Sequence, residues 1–127
     1  MVTASCHCGR VSLELPKAPE QVTSCNCSIC RRLGTLCAYY KPAEVRITVK
    51  DGKTDTYLWG EKSMAFHRCP ECGCHTHWTA VPEGDIDRMG VNARMLEPEL
   101  LAQAKVRRFD GADTWKYLDG SGVSHGS

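Results

Sequence analysis

The chain has 127 residues, 42% of them hydrophobic, which suits one domain with a modest core. Sixteen Lys and Arg stand against fifteen Asp and Glu, a formal net charge of +1 that gives no electrostatic footprint for nucleic acid or an anionic membrane surface. No apolar run approaches the roughly 20 residues of a membrane span, and Met1-Val2-Thr3-Ala4-Ser5 lacks the basic-then-apolar pattern of a signal peptide, so a cytoplasmic location is expected.

Strand signals dominate along the chain. Val11, Leu13 and Leu15 alternate with Ser12 and Glu14, the period of a half-buried strand. A turn is expected near Ser28 to Leu33. Val45, Ile47 and Val49 alternate with Arg46, Thr48 and Lys50. Thr54 to Trp59 and Met64 to Arg68 flank Gly60-Glu61-Lys62-Ser63, the pattern of a hairpin turn. Thr76 to Val81 is rich in β-formers and stops at Pro82, and Met89 to Met95 is a further strand candidate. Pro98 opens a short helical pattern reaching Ala104. The segment from Asp119 to Ser127 is small and polar and is expected to fray, leaving one domain over residues 1–118. The predicted architecture is mainly β, built of hairpins around metal, with little helix.

The nine cysteines are the strongest signal. Nine is odd, so full disulfide pairing is impossible. In a reducing compartment this density reads as metal binding or thiol chemistry. Cys6-x-Cys8 and Cys25-x-Cys27 on extended backbone would send both thiols to one side, since strand side chains alternate with period two. Cys69-Pro70-Glu71-Cys72-Gly73 has the form of a tight knuckle, with Pro70 fixing φ and Gly73 free to take a positive φ. Cys6, Cys8, Cys69 and Cys72 make four ligands, enough for a closed structural zinc site that staples two remote segments. Cys25, Cys27 and Cys30 make three, the arrangement of a catalytic zinc with one position left for substrate. Spacing alone leaves other closures open: Cys37, Cys74, His67, His75 or His77 could complete the second site, and the pairs could be exchanged between sites.

A zinc ion held by three thiolates is a poor source of hydroxide but well suited to a fourth, incoming sulfur. A substrate thiol bound there would ionise near neutral pH, well below its free value of about 8.5. Arg31 and Arg32 follow Cys30 directly, and Arg31 is a candidate contact for a substrate carboxylate. Arg107-Arg108 reads as a solvated edge. His67, His75 and His77 read as core or surface groups rather than a general acid or base, with His75 and His77 expected on one strand face. Cys37 reads as a small buried hydrophobe, and Trp59, Trp78 and Phe66 as core. The competing reading is a non-enzymatic zinc-binding module for a protein partner.

Four motifs together carry a resemblance: "SCHCGRV" at Ser5 to Val11, "SCNCSICRRLG" at Ser24 to Gly34, "HRCPECGC" at His67 to Cys74 and "VNARML" at Val91 to Leu96. With the late "FDGADTW" at Phe109 to Trp115, the chain resembles the glutathione-dependent formaldehyde-activating enzyme family, which also includes the centromere-protein-V-like proteins. The resemblance implies an Mss4-like fold of coiled β-hairpins. It implies two zinc ions per chain, a structural one on Cys6, Cys8, Cys69 and Cys72 and a catalytic one on Cys25, Cys27 and Cys30. The implied activity is that of a carbon–sulfur lyase of the S-hydroxymethylglutathione synthase type, acting on a small glutathione-like thiol and an aldehyde such as formaldehyde.

Overall fold

A computed structural model of the chain describes residues 1–59, 62–82 and 85–118. In chain order the strands are β1 (Val2–Ser5), β2 (Val11–Leu15), β3 (Gln21–Cys25), β4 (Cys37–Tyr40), β5 (Arg46–Val49), β6 (Asp55–Tyr57), β7 (Met64–Arg68), β8 (His75–Ala80), β9 (Met89–Asn92) and β10 (Lys105–Phe109). Two short helices accompany them, α1 (Ser28–Leu33) and α2 (Pro98–Ala102). The protein is mainly β with little helix, as the alternation pattern predicted.

The strands form two sheets. In the smaller, β2 lies between β1 and β5, both antiparallel to it. The predicted alternation is realised here: Val11, Leu13 and Leu15 are fully buried while Ser12 and Glu14 stay partly exposed. The larger sheet has the order β10-β3-β4-β9-β8-β7-β6. All its pairs are antiparallel except β10 with β3, a parallel pair whose register sets Arg108 beside Ser24 and Phe109 beside Cys25.

The main core packs the small sheet against one face of the large one. Ala4, Leu13 and Leu15 meet Val22, Ala38, Met89 and Val91, and the thiols of Cys6 and Cys69 are part of the same cluster. Cys37, Phe66 and Trp78 form a second apolar cluster, with Ile29 of α1, Tyr39 and Met64 packed against it. Burial of these side chains stabilises the fold by about 1.5–3 kcal/mol for each large one. Gly90 on β9 lies directly against the second cluster. A Cβ there would overlap the Trp78 indole and reach within 2.6 Å of Cys37 Sγ.

Several boundaries depart from the sequence reading. Ser28 to Leu33 is an α-helix rather than a turn. The strand expected over Thr54 to Trp59 is only Asp55–Tyr57, and the one expected over Met89 to Met95 ends at Asn92 and continues as a 3-10 turn. The helix opened by Pro98 stops at Ala102. Strands β1, β3, β4 and β10 carry too little alternation to be read locally. The fraying expected for 119–127 and part of the turn expected at Gly60 to Ser63 lie outside the described residues.

Candidate metal centre and adjoining cavities

Two groups of thiols converge, and they are the two groups that counting proposed. The sulfurs of Cys6, Cys8, Cys69 and Cys72 lie within 4.8 Å of one another, and so do those of Cys25, Cys27 and Cys30. Cys8 Sγ is 3.7 Å from Cys6 Sγ and 3.6 Å from Cys69 Sγ. The edge of a zinc–thiolate tetrahedron is about 3.8 Å for a bond of about 2.3 Å, so the first group is shaped to hold zinc. No two of the nine cysteines are joined as a disulfide.

Each ligand segment is preformed by its own backbone. The Cys6 and Cys8 pair sits in the β1–β2 hairpin turn, not on extended strand as spacing suggested. Cys6 N donates to Val11 O, Val11 N donates to Cys6 Sγ, and Gly9 takes φ 83° to close the turn. The Cys69 knuckle is as predicted. Gly73 has φ 79° and its N–H donates to Cys69 O, while Glu71 and Cys72 N–H groups donate to Cys69 Sγ. Burial resists ionisation of Cys72, but backbone N–H groups of Cys74 and Cys8 overcome it and draw its thiol down to about 5. The Cys72 thiolate, set among N–H donors, suits a cation.

The second group is built on a strand end and a helix start. Cys25 closes β3. Cys27 is the N-cap of α1, its sulfur accepting from Cys30 N at 3.4 Å. Cys30 lies one turn into the helix, so it returns to the same side as Cys27. Gly34 ends the helix at φ 69° with its N–H on Cys30 O. The three thiols hold protons unequally. Side-chain hydrogen bonds from Cys25 and then Cys30 draw Cys27 down to about 2, while Cys25 and Cys27 push Cys30 up. Among the described residues no further thiol, imidazole or carboxylate joins these three sulfurs. Cys37, Cys74, His67, His75 and His77, kept open on spacing, do not close the site.

The histidines are held elsewhere. His67 and His77 stack at 4.2 Å and line a cavity with Ile47 and Val49 of β5, on the face of the large sheet turned toward the small one. His75 does not share that face. A register shift against β7 sets His75 opposite Arg68 while His77 stays opposite His67, and the His75 ring meets Phe66 instead. The extra residue, Thr76, breaks the period of two. Burial drives His75 down to about 4 and His77 to about 3, so both are neutral at neutral pH.

The second thiol group stands between two cavities. On one side is an open groove of about 480 Å³ lined by Cys25, Cys30, Arg31, Arg94 and Arg108. No carboxylate among the described residues pairs with these three exposed arginines. Arg94 Nε donates to Gly34 O, which ties it to the end of α1. Arg31 was legible from its place after Cys30. Arg94 and Arg108 were not, since Arg108 arrives only through the β10–β3 pairing. On the other side is an apolar cavity of about 140 Å³, walled by Ile29, Met64, Phe66, Trp78 and Trp115. Trp59, read as core, is instead an exposed member of this wall. Cys37 is buried as expected, and burial pushes its thiol up to about 11.

A loop after β10 completes the site. Asn26, between Cys25 and Cys27, donates to Asp110 Oδ1 and accepts from Ala112 N. Asp110 also accepts from Thr114 N and Thr114 Oγ1. Gly111 lies so close that a Cβ would sit 2.6 Å from Cys25 Sγ.

Residues 1–109 match the family of glutathione-dependent formaldehyde-activating enzymes. The chain belongs to this family. Its fold is also similar to the crystal structure of a Rhodobacter sphaeroides protein, with a TM-score of 0.65 and 27% identity, over 82% of this chain and 98% of that one. In this family member both cysteine groups are present and could hold zinc. The family match ends at Phe109, one residue before the loop whose Asp110, Gly111 and Trp115 complete the second site. No helix among the described residues is long and apolar enough to cross a membrane.

Proposed function

We propose that the chain is a carbon–sulfur lyase of the S-hydroxymethylglutathione synthase type, joining a small anionic thiol to an aldehyde. The observation that carries the reading is the convergence of Cys25, Cys27 and Cys30, without a fourth protein ligand among the described residues, beside a groove bearing three arginines. A zinc ion on these thiolates would supply the positive charge that lets an incoming thiol ionise near neutral pH. Cys6, Cys8, Cys69 and Cys72 would hold the other zinc, a structural one that pins β1–β2 to the knuckle after β7.

The chain's own residues do the positioning. Arg31, Arg94 and Arg108 offer planar guanidinium donors that suit paired hydrogen bonds to carboxylates. A tripeptide thiol of the glutathione kind carries two carboxylates, so more than one arginine has a partner. The apolar wall excludes water from the reacting face, which strengthens every charge interaction there. In the addition a C–S bond forms, the carbonyl π pair moves to oxygen, and oxygen takes up the proton the thiol has lost. The reverse breaks the C–S bond. Nothing is oxidised or reduced. The nine free thiols accord with a reducing, cytoplasmic setting.

Calorimetric titration of the zinc-loaded protein with glutathione tests this. Saturable binding is expected, weakened about tenfold in Arg108→Ala and lost in Cys30→Ser together with one zinc. Glutathione binding that is absent from the wild type rejects the enzyme and leaves a zinc-braced module.

A further inference from the structure

The 140 Å³ cavity is not needed to bind a thiol, which has the arginine groove, and it is far larger than formaldehyde requires. Formaldehyde has two heavy atoms. A cavity of about 150 Å³ with apolar walls is known to stay dry and to hold a benzene. The walls here are of that kind: Ile29, Met64, Phe66 and Trp78, with Trp59 and Trp115 beside them. A two-atom carbonyl would leave most of these walls without contact atoms, and the polar groups of the lining include the three thiols of the second group, Thr35 and Tyr39. Cys25, Cys27 and Cys30 all line this cavity, so its ligand lies against the thiol group itself.

We propose that this cavity is the carbonyl subsite and selects an aromatic aldehyde, with a ring of about benzene size, over formaldehyde. The proposal rests on the reading that Cys25, Cys27 and Cys30 bring a thiol to a carbonyl. The ring enters the apolar cavity and the carbonyl carbon faces the thiol group. The thiol loses its proton, its sulfur bonds to that carbon, the π pair passes to oxygen and oxygen takes the proton, giving a hemithioacetal.

Two features of the lining itself support a built subsite. Trp115 holds φ 63°, a left-handed conformation costly for a bulky residue, and such strain gathers at functional positions. It is kept there by its N–H on Asp110 O at 2.7 Å and by edge contact with Phe109 at 5.1 Å. Cys37 lines the cavity as a neutral buried thiol, so it presents an apolar wall and not a rival nucleophile.

The test uses zinc-loaded protein and benzyl alcohol, an unreactive stand-in for the aromatic aldehyde. Titration by NMR is expected to show saturable binding, with nuclear Overhauser contacts from the ligand ring to the rings of Phe66 and Trp78. Met64→Trp, which fills the cavity, is expected to weaken it at least about tenfold while keeping two zinc ions. Should that variant not fold, competition on the wild type gives the same reading: benzaldehyde displaces benzyl alcohol and formaldehyde at equal concentration does not. Absent binding, contacts elsewhere on the surface, or equal displacement by formaldehyde overturns the proposal. Glutathione titration of the same samples separates the two levels. Retained glutathione binding without benzyl alcohol binding sinks the cavity assignment alone. Absent glutathione binding sinks the thiol reading, and the carbonyl subsite with it.

Discussion

Asn26 Nδ2 donates to Asp110 Oδ1 across 3.0 Å, joining the residue between Cys25 and Cys27 to a loop 84 positions later. The same Asn26 amide accepts from Ala112 N, so one side chain closes the loop over the second thiol group from both ends. Asn26→Ala would leave Asp110 short of a donor and Ala112 N–H without its acceptor. A cost of about 1–3 kcal/mol is expected. Hydrogen exchange should rise across residues 110–117 and stay unchanged in β1 and β2. Uniform loss of protection across the chain would refute a local role for this bond.

The two cysteine groups should differ in what they hold up. Cys69 is fully buried within the main core, whereas Cys30 is only partly buried and borders open cavities. Cys69→Ser is expected to lose the first zinc and most of the folded state, since a site that closes a long loop binds metal at the expense of unfolding. Cys30→Ser is expected to lose one zinc and keep its circular dichroism spectrum. Metal analysis and thermal melts compare the two directly, and equal destabilisation would contradict the division.

Gly111 carries a steric prediction. In Gly111→Ala the new Cβ would lie 2.6 Å from Cys25 Sγ and 3.3 Å from Trp115. The loop or the thiol must move. Zinc affinity at the second group should fall about tenfold or more, with the first group unaffected. Gly90→Ala meets Trp78 and Cys37 within the second apolar cluster instead, so its effect is on stability, about 1–3 kcal/mol. Zinc competition and urea unfolding on both variants distinguish the outcomes.

His77 predicts a pH dependence. Burial, then the charges of His67 and His75, hold its folded pKa at about 3, below the ordinary 6.5. The unfolded chain therefore takes up a proton near pH 6.5 that the folded chain refuses. Stability is full above 6.5 and falls as pH drops toward 3, by up to about 1.4 kcal/mol per unit for this group. His77→Gln, measured by urea unfolding at saturating zinc, should lose less between pH 6.5 and 5 than the wild type. Parallel curves would show that His77 is not the group responsible.

The two convergent thiol groups were legible because the geometry that gathers them is local. C-x-C and C-x-x-C bring sulfurs together within a turn, and four plus three divides seven thiols into a closed site and an open one. The β2 alternation was legible for the same reason, since a strand's period is written in adjacent residues. What surrounds the open site was not. Arg108 looked like a solvated edge until β10 paired in parallel with β3. The face on which His75 lies was reversed by one extra residue in β8. Trp59 and Trp78 read alike as core, yet Trp78 is buried and Trp59 is exposed at the cavity wall. The sequence alone determined which atoms can grip a metal. The tertiary structure decided which charged and apolar side chains face it, because strand pairing across more than eighty residues depends on the energy of the whole packed chain and leaves no local pattern.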